Sequence, residues 1–289
     1  MTRRPFGLVR GLLAACLLLL LLLSGCDQYL EPAEAGSDRL RIASWNIQHL
    51  GWQEDKDYAA LVAVARRFDF LAVQEAMTAE GIEQLRDELI VATGEAWETM
   101  YSHRIGRGSY KEKYAFLWRS SAVDYVAGAV VYLDVTDSFA REPYSARFRH
   151  RPSGLEFVAA TVHILFGNAV EDRLPEIHAL REYWDWLETI YPETPERLLM
   201  GDFNLAPSHE AWAELWEVAR PLITEGATTL STIDGRYANL YDNIIVAQDH
   251  PSSIVEAGIL RFPELLELTH EEARSRVSDH APVYVVLGR

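Results

Sequence analysis

The chain is short of cysteine and of positive charge. Cys16 and Cys26 are the two cysteines among 289 residues, and both lie near the N-terminus. This excludes a disulfide framework and a cysteine-rich zinc site. Lysine and arginine total 27 against 43 aspartates and glutamates, which gives a formal net charge of −16. Such a charge argues against a protein that coats nucleic acid through bulk positive charge, but it allows a site that handles one phosphate at a time.

A short apolar run near the N-terminus is typical of an export signal. Three arginines lie in the first ten residues, and the apolar run 11–23 that follows is too short to span a bilayer comfortably. Residues 23–26 (LSGC) resemble the bacterial lipobox, in which cleavage precedes the cysteine and its thiol carries diacylglycerol. The sequence therefore predicts a lipoprotein signal peptide at 1–25, a lipidated tether at 26–38 and one folded domain at 39–289.

Cys26 is accordingly the predicted lipidation site. The expected location is that of an exported bacterial lipoprotein, anchored in a membrane and facing the periplasm or the cell exterior. Asp27 resembles an inner-membrane retention signal. Two alternatives stay open, namely an ordinary secretory signal and a marginal membrane anchor. Residues 2–6 (TRRPF) resemble a twin-arginine export signal, whereas the leucine run 17–23 suits the general secretion route equally well.

From residue 39 onward, the pattern alternates between strand-like and helix-like segments. No Gly/Ser linker and no internal repeat divides this span, which favours one domain with sheets in the middle and helices outside. Strands are expected near residue 40 and at 68–74, 114–118, 123–133, 155–163, 197–201, 241–247 and 282–287. Helices are expected at 58–67, 80–91, 169–190 and 208–218.

Polar side chains stand at the ends of several apolar strands. Asn46 and Glu75 end the first two, Asp202 ends a later one, and Asp279 precedes the last. Strand ends on one rim of a sheet converge, so these side chains can share a pocket. Oxygen ligands without cysteine suit a hard cation such as Mg²⁺, Ca²⁺ or Mn²⁺. Each signal alone is equally typical of a turn or a cap, but together they indicate a metal-assisted hydrolase.

The order of the motifs carries a more specific resemblance. The chain resembles the endonuclease/exonuclease/phosphatase superfamily over residues 39–288, and within it the deoxyribonuclease I branch. The superfamily motifs are 44–51 (SWNIQHLG), 72–75 (AVQE), 160–167 (ATVHILFG), 200–204 (MGDFN), 241–246 (YDNIIV) and 278–283 (SDHAPV). The branch motifs are 106–119 (GRGSYKEKYAFLWR) and 139–148 (FAREPYSARF). The resemblance implies an α/β (α+β) four-layer sandwich, with two packed mixed sheets flanked by helices.

The resemblance also implies where a cation and a phosphate would bind. Asn46 and Glu75 match the metal ligands, with Asp279 as a further predicted ligand and Mg²⁺ as the expected ion (Ca²⁺ or Mn²⁺ as alternatives). Asp202 would lie near the phosphate on the other side. Asn204 matches the amide that hydrogen-bonds the phosphoryl oxygens, a role that suits a donor without negative charge.

Two histidine–carboxylate pairs follow from the same resemblance. Glu112 would hold His163, and Asp242 would hold His280. A carboxylate fixes the imidazole tautomer and raises its pKa, so each ring can carry a proton near neutral pH. One histidine would activate water and the other would protonate or stabilise the leaving oxygen, with the two assignments left open.

The resemblance gives two substrate-binding candidates and two departures. Arg141 matches a phosphate-binding arginine, although a solvated loop charge is the alternative. Tyr110 matches a tyrosine that packs against a sugar or base, with ordinary packing as the alternative. Gln48 and Met77 stand where pancreatic-type enzymes carry arginines that contact DNA, which leaves the substrate preference open.

The sequence therefore predicts a divalent-metal-dependent phosphodiesterase of the endonuclease type, with DNA as substrate. The membrane would be contacted through lipidated Cys26, and the expected state is a monomer. One alternative is a phosphoinositide phosphatase or a sphingomyelinase-like phosphodiesterase. Another is a catalytically silent lipoprotein that serves as a binding module, against which the complete set of catalytic matches argues.

Overall fold

The computed structural model describes residues 30–34, 36–52 and 55–288. The chain divides into two units, Met1–Glu31 and Pro32–Arg289, and all strands and helices given below belong to the second. The predicted signal peptide and Cys26 lie outside the described residues. Among those that are described, no helix is long and apolar enough to cross a membrane.

Twelve strands of the described chain form two six-stranded sheets. Their bounds are β1 (Leu40–Leu50), β2 (Phe70–Ala76), β3 (Trp97–Tyr101), β4 (Lys113–Arg119), β5 (Val123–Val131), β6 (Tyr144–His150), β7 (Glu156–His163), β8 (Arg197–Asp202), β9 (Ala219–Pro221), β10 (Asp242–Ala247), β11 (Ser253–Ile259) and β12 (Val283–Gly288). The first sheet has the order β11-β12-β1-β2-β4-β3 and the second the order β5-β6-β7-β8-β10-β9. The pairs β1–β2 and β7–β8 are parallel, and the other pairs are antiparallel, so both sheets are mixed.

Helices lie outside the sheets and in the connections. They are α1 (Tyr58–Ala65), α2 (Ala79–Thr93), α3 (Leu174–Ile190), α4 (Ala213–Trp216), α5 (Phe262–Leu265) and α6 (His270–Arg276), with 3₁₀ turns at Val170–Asp172 and Glu210–Trp212. Helix α2 contacts β2, β3 and β4 of the first sheet. The buried face of α3 packs on the second sheet in a separate apolar cluster. The expected sandwich of two sheets flanked by helices is therefore confirmed.

Aromatic packing holds the two sheets face to face. Phe70 of the first sheet contacts Phe148 and Phe157 of the second, with ring centroids 4.7 and 5.4 Å apart. These rings belong to a cluster of buried residues drawn from both sheets. Alternate residues of each strand supply it, because side chains along a strand point to opposite faces. The apolar core fixes the spacing at which the polar strand ends meet.

One polar bridge crosses this core near the rim where the site forms. Gln74 is fully buried, and its Nε2 donates to Ser44 Oγ at 3.0 Å within the first sheet and to Thr161 Oγ1 at 2.7 Å in the second. A buried amide must be hydrogen-bonded to avoid a desolvation cost, so this bridge fixes β2 relative to β7.

Two predicted helices differ in the structure. The helix expected at 169–190 begins at Leu174, after a 3₁₀ turn in which the Asp172 carboxylate accepts from the backbone of Asn168 and Ala169. Pro175 favours this start because proline is best tolerated in the first turn. The helix expected at 208–218 is instead the short 3₁₀ turn followed by α4.

Gly201 tests how closely β7 and β8 approach each other next to the polar rim. Its φ is +152°, and a Cβ there would overlap the carbonyl oxygen of Val162 on the neighbouring strand. We expect Gly201→Ala to lower the free energy of unfolding by about 3 kcal/mol, at the upper end of the overpacking range. Gly94→Ala is the control, since that position has a left-handed backbone but open space, and its loss should be about 1–2 kcal/mol. Chemical denaturation measures both, and equal losses would contradict the role given to Gly201.

Candidate active site

The strand ends form one cleft of about 320 Å³. Strand pairing explains why, because His163 ends β7 opposite Asp202 at the end of β8. Asp242 begins the antiparallel β10 and also pairs with Asp202. Of the predicted site residues, those that line the cleft are Glu75, His163, Asp202, Asn204, Asp279 and His280.

Asp202 is the centre of the arrangement. Its Oδ2 lies 3.6 Å from Nε2 of His163 and also 3.6 Å from Nε2 of His280. The same oxygen accepts from Asn46 Nδ2 at 3.1 Å. Burial would raise the pKa of Asp202, but His280 and His163 hold it below its usual range. Asp202 is therefore a buried anion between two imidazoles.

The first pair is His163 with Glu112. Nδ1 of His163 lies 3.0 and 3.1 Å from the two carboxylate oxygens of Glu112, which is fully buried. Burial would raise the pKa of Glu112, but His163 and Arg141 hold it below its usual value. Burial and Arg141 would lower the pKa of His163, and Glu112 with Asp202 outweigh them and raise it. The pair thus favours an imidazolium whose Nε2 faces Asp202.

The second pair is His280 with Asp242. Nδ1 of His280 lies 2.8 Å from Asp242 Oδ2. Burial would lower the pKa of His280, but Asp242 and Asp202 raise it well above its usual value. Burial and Asp202 raise the pKa of Asp242 above its usual value although His280 opposes them, so the two groups compete for one proton. We place that proton on His280, because two carboxylates face the ring.

Hydroxyl groups from neighbouring turns hold the second pair in position. Thr228 Oγ1 accepts from the backbone N–H of Asp242 at 3.2 Å. Ser278 Oγ donates to the carbonyl of Asn46 at 2.6 Å and accepts from the N–H of His280 at 3.0 Å. Ser278 thereby ties the His280 turn to the strand that carries Asn46.

The oxygen groups on the other side fit a hard divalent cation. Asn46 Nδ2 donates to Glu75 Oε1 at 3.0 Å, and the Glu75 side chain is mostly buried on the cleft wall. Asp279 lines the same cleft, with Arg274 Nη2 3.8 Å from its carboxylate. Carboxylate and amide oxygens are the donors that Mg²⁺ and Ca²⁺ prefer. Glu75 and Asp279 therefore line one cleft, Asn46 is hydrogen-bonded to Glu75, and binding of a cation by these three residues stays a prediction.

A second grouping of possible ligands overlaps the His280–Asp242 pair. Among the described residues, ligand atoms of Asp202, Asp242 and His280 lie within 4.8 Å of one another. Two of these three residues are already hydrogen-bonded together through His280 Nδ1. A cation there would oppose the positive charge on His280 that Asp242 and Asp202 stabilise, so the donor chemistry favours the side of Glu75.

The backbone at this rim is held in left-handed conformations. Glu75 has φ +56°, His49 +57° and Asn204 +51°. The register of β1 shifts after Asn46 and that of β2 shifts after Val73, as β-bulges do when they redirect a side chain. The His49 N–H donates to Glu75 Oε2 at 3.1 Å, which fixes one bulge against the other.

Asn204 and Arg141 make hydrogen bonds in the structure that the sequence analysis did not predict. The N–H of Asn204 donates to Asp202 Oδ1 at 2.9 Å, and its Nδ2 donates to the carbonyl of Ile164 at 2.8 Å. Arg141 is 7% exposed, and its Nε and Nη2 donate to the carbonyls of His163 and Ile164. Its Nε also lies 3.5 Å from Glu112. Arg141 braces the His163 pair in this structure, and its contact with phosphate stays a prediction.

Tyr110, Gln48 and Met77 differ in how far their side chains are exposed to solvent. Tyr110 is 37% exposed, close to the Glu75 side of the rim. Gln48 is partly exposed. Met77 is 1% exposed, so its side chain does not offer a surface to a substrate.

Sequence analysis missed Lys56. Its ammonium donates to the carbonyls of Gln48, at 2.5 Å, and Val277, at 3.0 Å, and joins the segments before Ser278 and after Asn46. Burial lowers the pKa of Lys56 to about 8, although Asp279 and Glu75 oppose the shift. It lies in a polar stretch without periodicity, so no signal in a single sequence could have found it.

Comparison with known proteins agrees with the fold and the motifs. The chain is 59% identical over 264 residues to a deoxyribonuclease of Thioalkalivibrio sp. (strain K90mix), covering 89% of this chain and 73% of that protein. It is 32% identical to deoxyribonuclease-1-like 1 of Sus scrofa, covering 95% and 86%.

Solved structures share the same architecture. A mannosyl-6-phosphatase of Bacteroides thetaiotaomicron superposes with a TM-score of 0.62 at 17% identity, over 86% of this chain and 100% of that one. The human Nocturnin catalytic domain gives 0.62 at 16% identity, over 87% and 94%. The family model described as Endonuclease/Exonuclease/phosphatase family matches residues 43–213. The chain belongs to the endonuclease/exonuclease/phosphatase family.

Proposed function

We propose that the protein is a divalent-metal-dependent deoxyribonuclease that hydrolyses phosphodiester bonds of DNA. The observation that carries the proposal is the convergence of two histidine–carboxylate pairs on Asp202, with each Nε2 3.6 Å from one oxygen. The relatives named deoxyribonucleases support DNA as the substrate. The expected state is a monomer.

Hydrolysis needs one proton removed from water and one delivered to the leaving oxygen. His163 and His280 present their Nε2 atoms to the same point, while Glu112 and Asp242 hold the opposite nitrogens. One of the two imidazoliums first releases its proton to solvent, and that neutral ring then accepts the water proton as the new P–O bond forms. The other protonates the departing sugar oxygen as the old P–O bond breaks.

Groups around the His163 and His280 imidazoles can stabilise the negative charge of the phosphate. Nδ2 of Asn204 has a second N–H beyond the one given to Ile164, and it can donate to a phosphoryl oxygen without adding negative charge. Asn46, Glu75 and Asp279 would hold the cation. A bound divalent ion would neutralise phosphoryl charge and favour ionisation of water.

A substrate panel tests this function directly. Duplex DNA, single-stranded DNA, RNA, phosphoinositide and sphingomyelin are each incubated with Mg²⁺, Mn²⁺ or EDTA. We expect DNA to be hydrolysed, and EDTA to stop the reaction. Faster turnover of a phospholipid than of any DNA would replace this proposal with that of a membrane phosphodiesterase.

The paired histidines generate a prediction about turnover. His163→Ala and His280→Ala should each lower kcat by about 10²–10⁴-fold because a proton transfer is lost, and each should also lower stability because Asp202 loses a balancing charge. Glu112→Gln should also lower kcat and reduce the His163 pKa, since burial and Arg141 then act with a weaker opposing charge.

The double variant Glu112→Gln/His163→Ala should be little worse than His163→Ala alone, because the two groups act as one unit. Steady-state kinetics and NMR titration of the imidazole measure these effects. His178→Ala, on the exposed side of α3, is the control. Wild-type turnover in His163→Ala would remove this residue from the mechanism.

The metal site generates a prediction about metal affinity. Glu75→Gln should raise the Mg²⁺ concentration needed for half-maximal activity by about 10–100-fold or more. Mutating a residue that only hydrogen-bonds to a metal ligand already lowers metal affinity by that factor. Glu193→Gln, on an exposed carboxylate that does not line the cleft, is the control. Metal titration of activity checks it, and identical titration curves for both variants would exclude Glu75 as a ligand.

We also propose that lipidated Cys26 anchors the protein in a bacterial membrane, with the domain facing the periplasm or the exterior. Support comes from the LSGC segment at 23–26. A diacylated cysteine supplies the two chains that stable anchoring needs. Cys26→Ser should release the mature domain from the membrane fraction or leave it unprocessed. Mass spectrometry of the wild-type, membrane-extracted protein decides the matter, because an unmodified Cys26 is incompatible with this anchor.

A further inference from the structure

Exposed aromatic rings stand beside the Glu75 side of the cleft. Trp52 is 48% exposed, and its ring meets that of Tyr110 edge-on, with centroids 5.9 Å apart. The His49 ring lies 5.7 Å from Trp52 and 6.4 Å from Tyr110. The rings of Trp52, Tyr110 and His49 form the Trp52 cluster. His49 Nε2 is 3.5 Å from Glu75 Oε2, which connects this cluster to the proposed metal site.

A second group of rings stands on the other sheet. Phe166 is 55% exposed, and it lines the cleft together with Tyr241. The two ring centroids are 6.4 Å apart. Beneath them, the Arg173 guanidinium lies 4.3 Å from the Phe166 ring and donates to the carbonyl of Asn204. Phe166 and Tyr241 with Arg173 form the Phe166 cluster.

Both clusters are held in place by the backbone. The Trp52 N–H donates to the carbonyl of His49 at 3.0 Å, which closes a turn. Gly51 in that turn packs so closely on the start of α2 that a Cβ would overlap the Thr78 hydroxyl. Arg173 Nε donates to the carbonyl of Phe166 at 2.9 Å. Fixed rings lose little freedom on binding, which favours contact with a flat partner.

Two arginines near the histidine pairs are not free to grip a duplex, which leaves Arg274 as the arginine that lines the cleft. Arg141 and Arg173 are buried, and their guanidiniums donate to main-chain carbonyls. Gln48 supplies no charge, and Met77 is buried. The net charge of −16 adds long-range repulsion of a polyanion. A phosphate contact by Arg141 or Arg173 would therefore cost the hydrogen bonds that these guanidiniums already make, which lowers what they can contribute to duplex binding.

We propose that the Trp52 and Phe166 clusters are stacking platforms for unpaired nucleobases, so that single-stranded DNA is the preferred substrate. This inference rests on the proposed function. Aromatic rings bind single strands because every base has a flat face, with little dependence on sequence. In a duplex, those faces are covered by neighbouring bases, and extruding one costs free energy. A strand whose phosphate occupies the cleft would place a base on each side, one near each sheet.

The test compares three DNAs in the full protein. They are a short single strand, its duplex, and the same strand with abasic sites that keep the phosphates but remove the bases. We expect the wild type to have its lowest KM for the single strand. Trp52→Ala and Phe166→Ala should each raise that KM by about 5- to 150-fold. The KM advantage of the base-bearing strand over the abasic strand should shrink accordingly.

Conservative variants separate stacking from packing. Trp52→Tyr keeps a ring and should keep most of the affinity, whereas Phe166→Leu keeps apolar bulk and should behave like Phe166→Ala. Leu133→Ala is the control, because this side chain is 79% exposed and does not line the cleft. Since Arg173 links Phe166 to Asn204, kcat and KM are reported separately.

Several outcomes would overturn the inference. A lower wild-type KM for the duplex would do so, as would equal losses on all three DNAs in the ring variants. Unchanged KM with weakened binding to phospholipid vesicles would make the rings a membrane contact instead. If the wild type cleaves the abasic and base-bearing strands with equal KM, this inference fails but the proposed function stands. If it cleaves no DNA, the proposed function fails.

Discussion

The buried carboxylate of Asp202 is the constraint on which the rest of the site depends. It lies between two imidazoles, each backed by its own buried carboxylate, Glu112 or Asp242. Isolated buried charges are costly, and such a group is stable only when the signs balance at short range. Protonated His163 and His280 with Arg141 provide that balance. The protons that stabilise the buried anions are thus the ones that hydrolysis must move.

The sandwich makes this balance possible because it brings two sheets to one rim. Strand pairing alone places His163 and Asp242 beside Asp202 within the second sheet. Asn46 reaches Asp202 from the first sheet, and the Gln74 bridge fixes the spacing between the sheets. The rim also stores backbone strain at Glu75 and Asn204, since left-handed non-glycine residues persist only where their surroundings determine them. Each is held by hydrogen bonds to a neighbour in the site.

The sequence predicted what depends on pattern and order. The polar residues Asn46, Glu75 and Asp202, in or at the end of apolar strands, indicated the converging rim, and the resemblance carried by the motif order implied the sandwich and the histidine pairs. It could not give contacts made by long side chains across distant segments, such as that of Lys56 with Val277. The burial of Met77 could not be predicted either, because a position in a motif does not determine which way the side chain points. The late start of α3 depends on how Asp172 closes the preceding turn, a choice that amphipathic periodicity does not encode.

The acidic composition of the chain and the aromatic rings beside its cleft both bear on how the protein binds a polyanion. Arg141 and Arg173 are buried beside the candidate catalytic groups, and both are committed to carbonyls that hold His163 and Asn204 in place. Freeing either guanidinium for a phosphate would loosen the residue it braces. Charge at this site is therefore used to position catalytic groups, and affinity must come from a source that does not disturb the balance around Asp202. The Trp52, Tyr110 and Phe166 rings meet that requirement, because stacking on them adds binding energy without bringing another charged side chain beside the imidazoles.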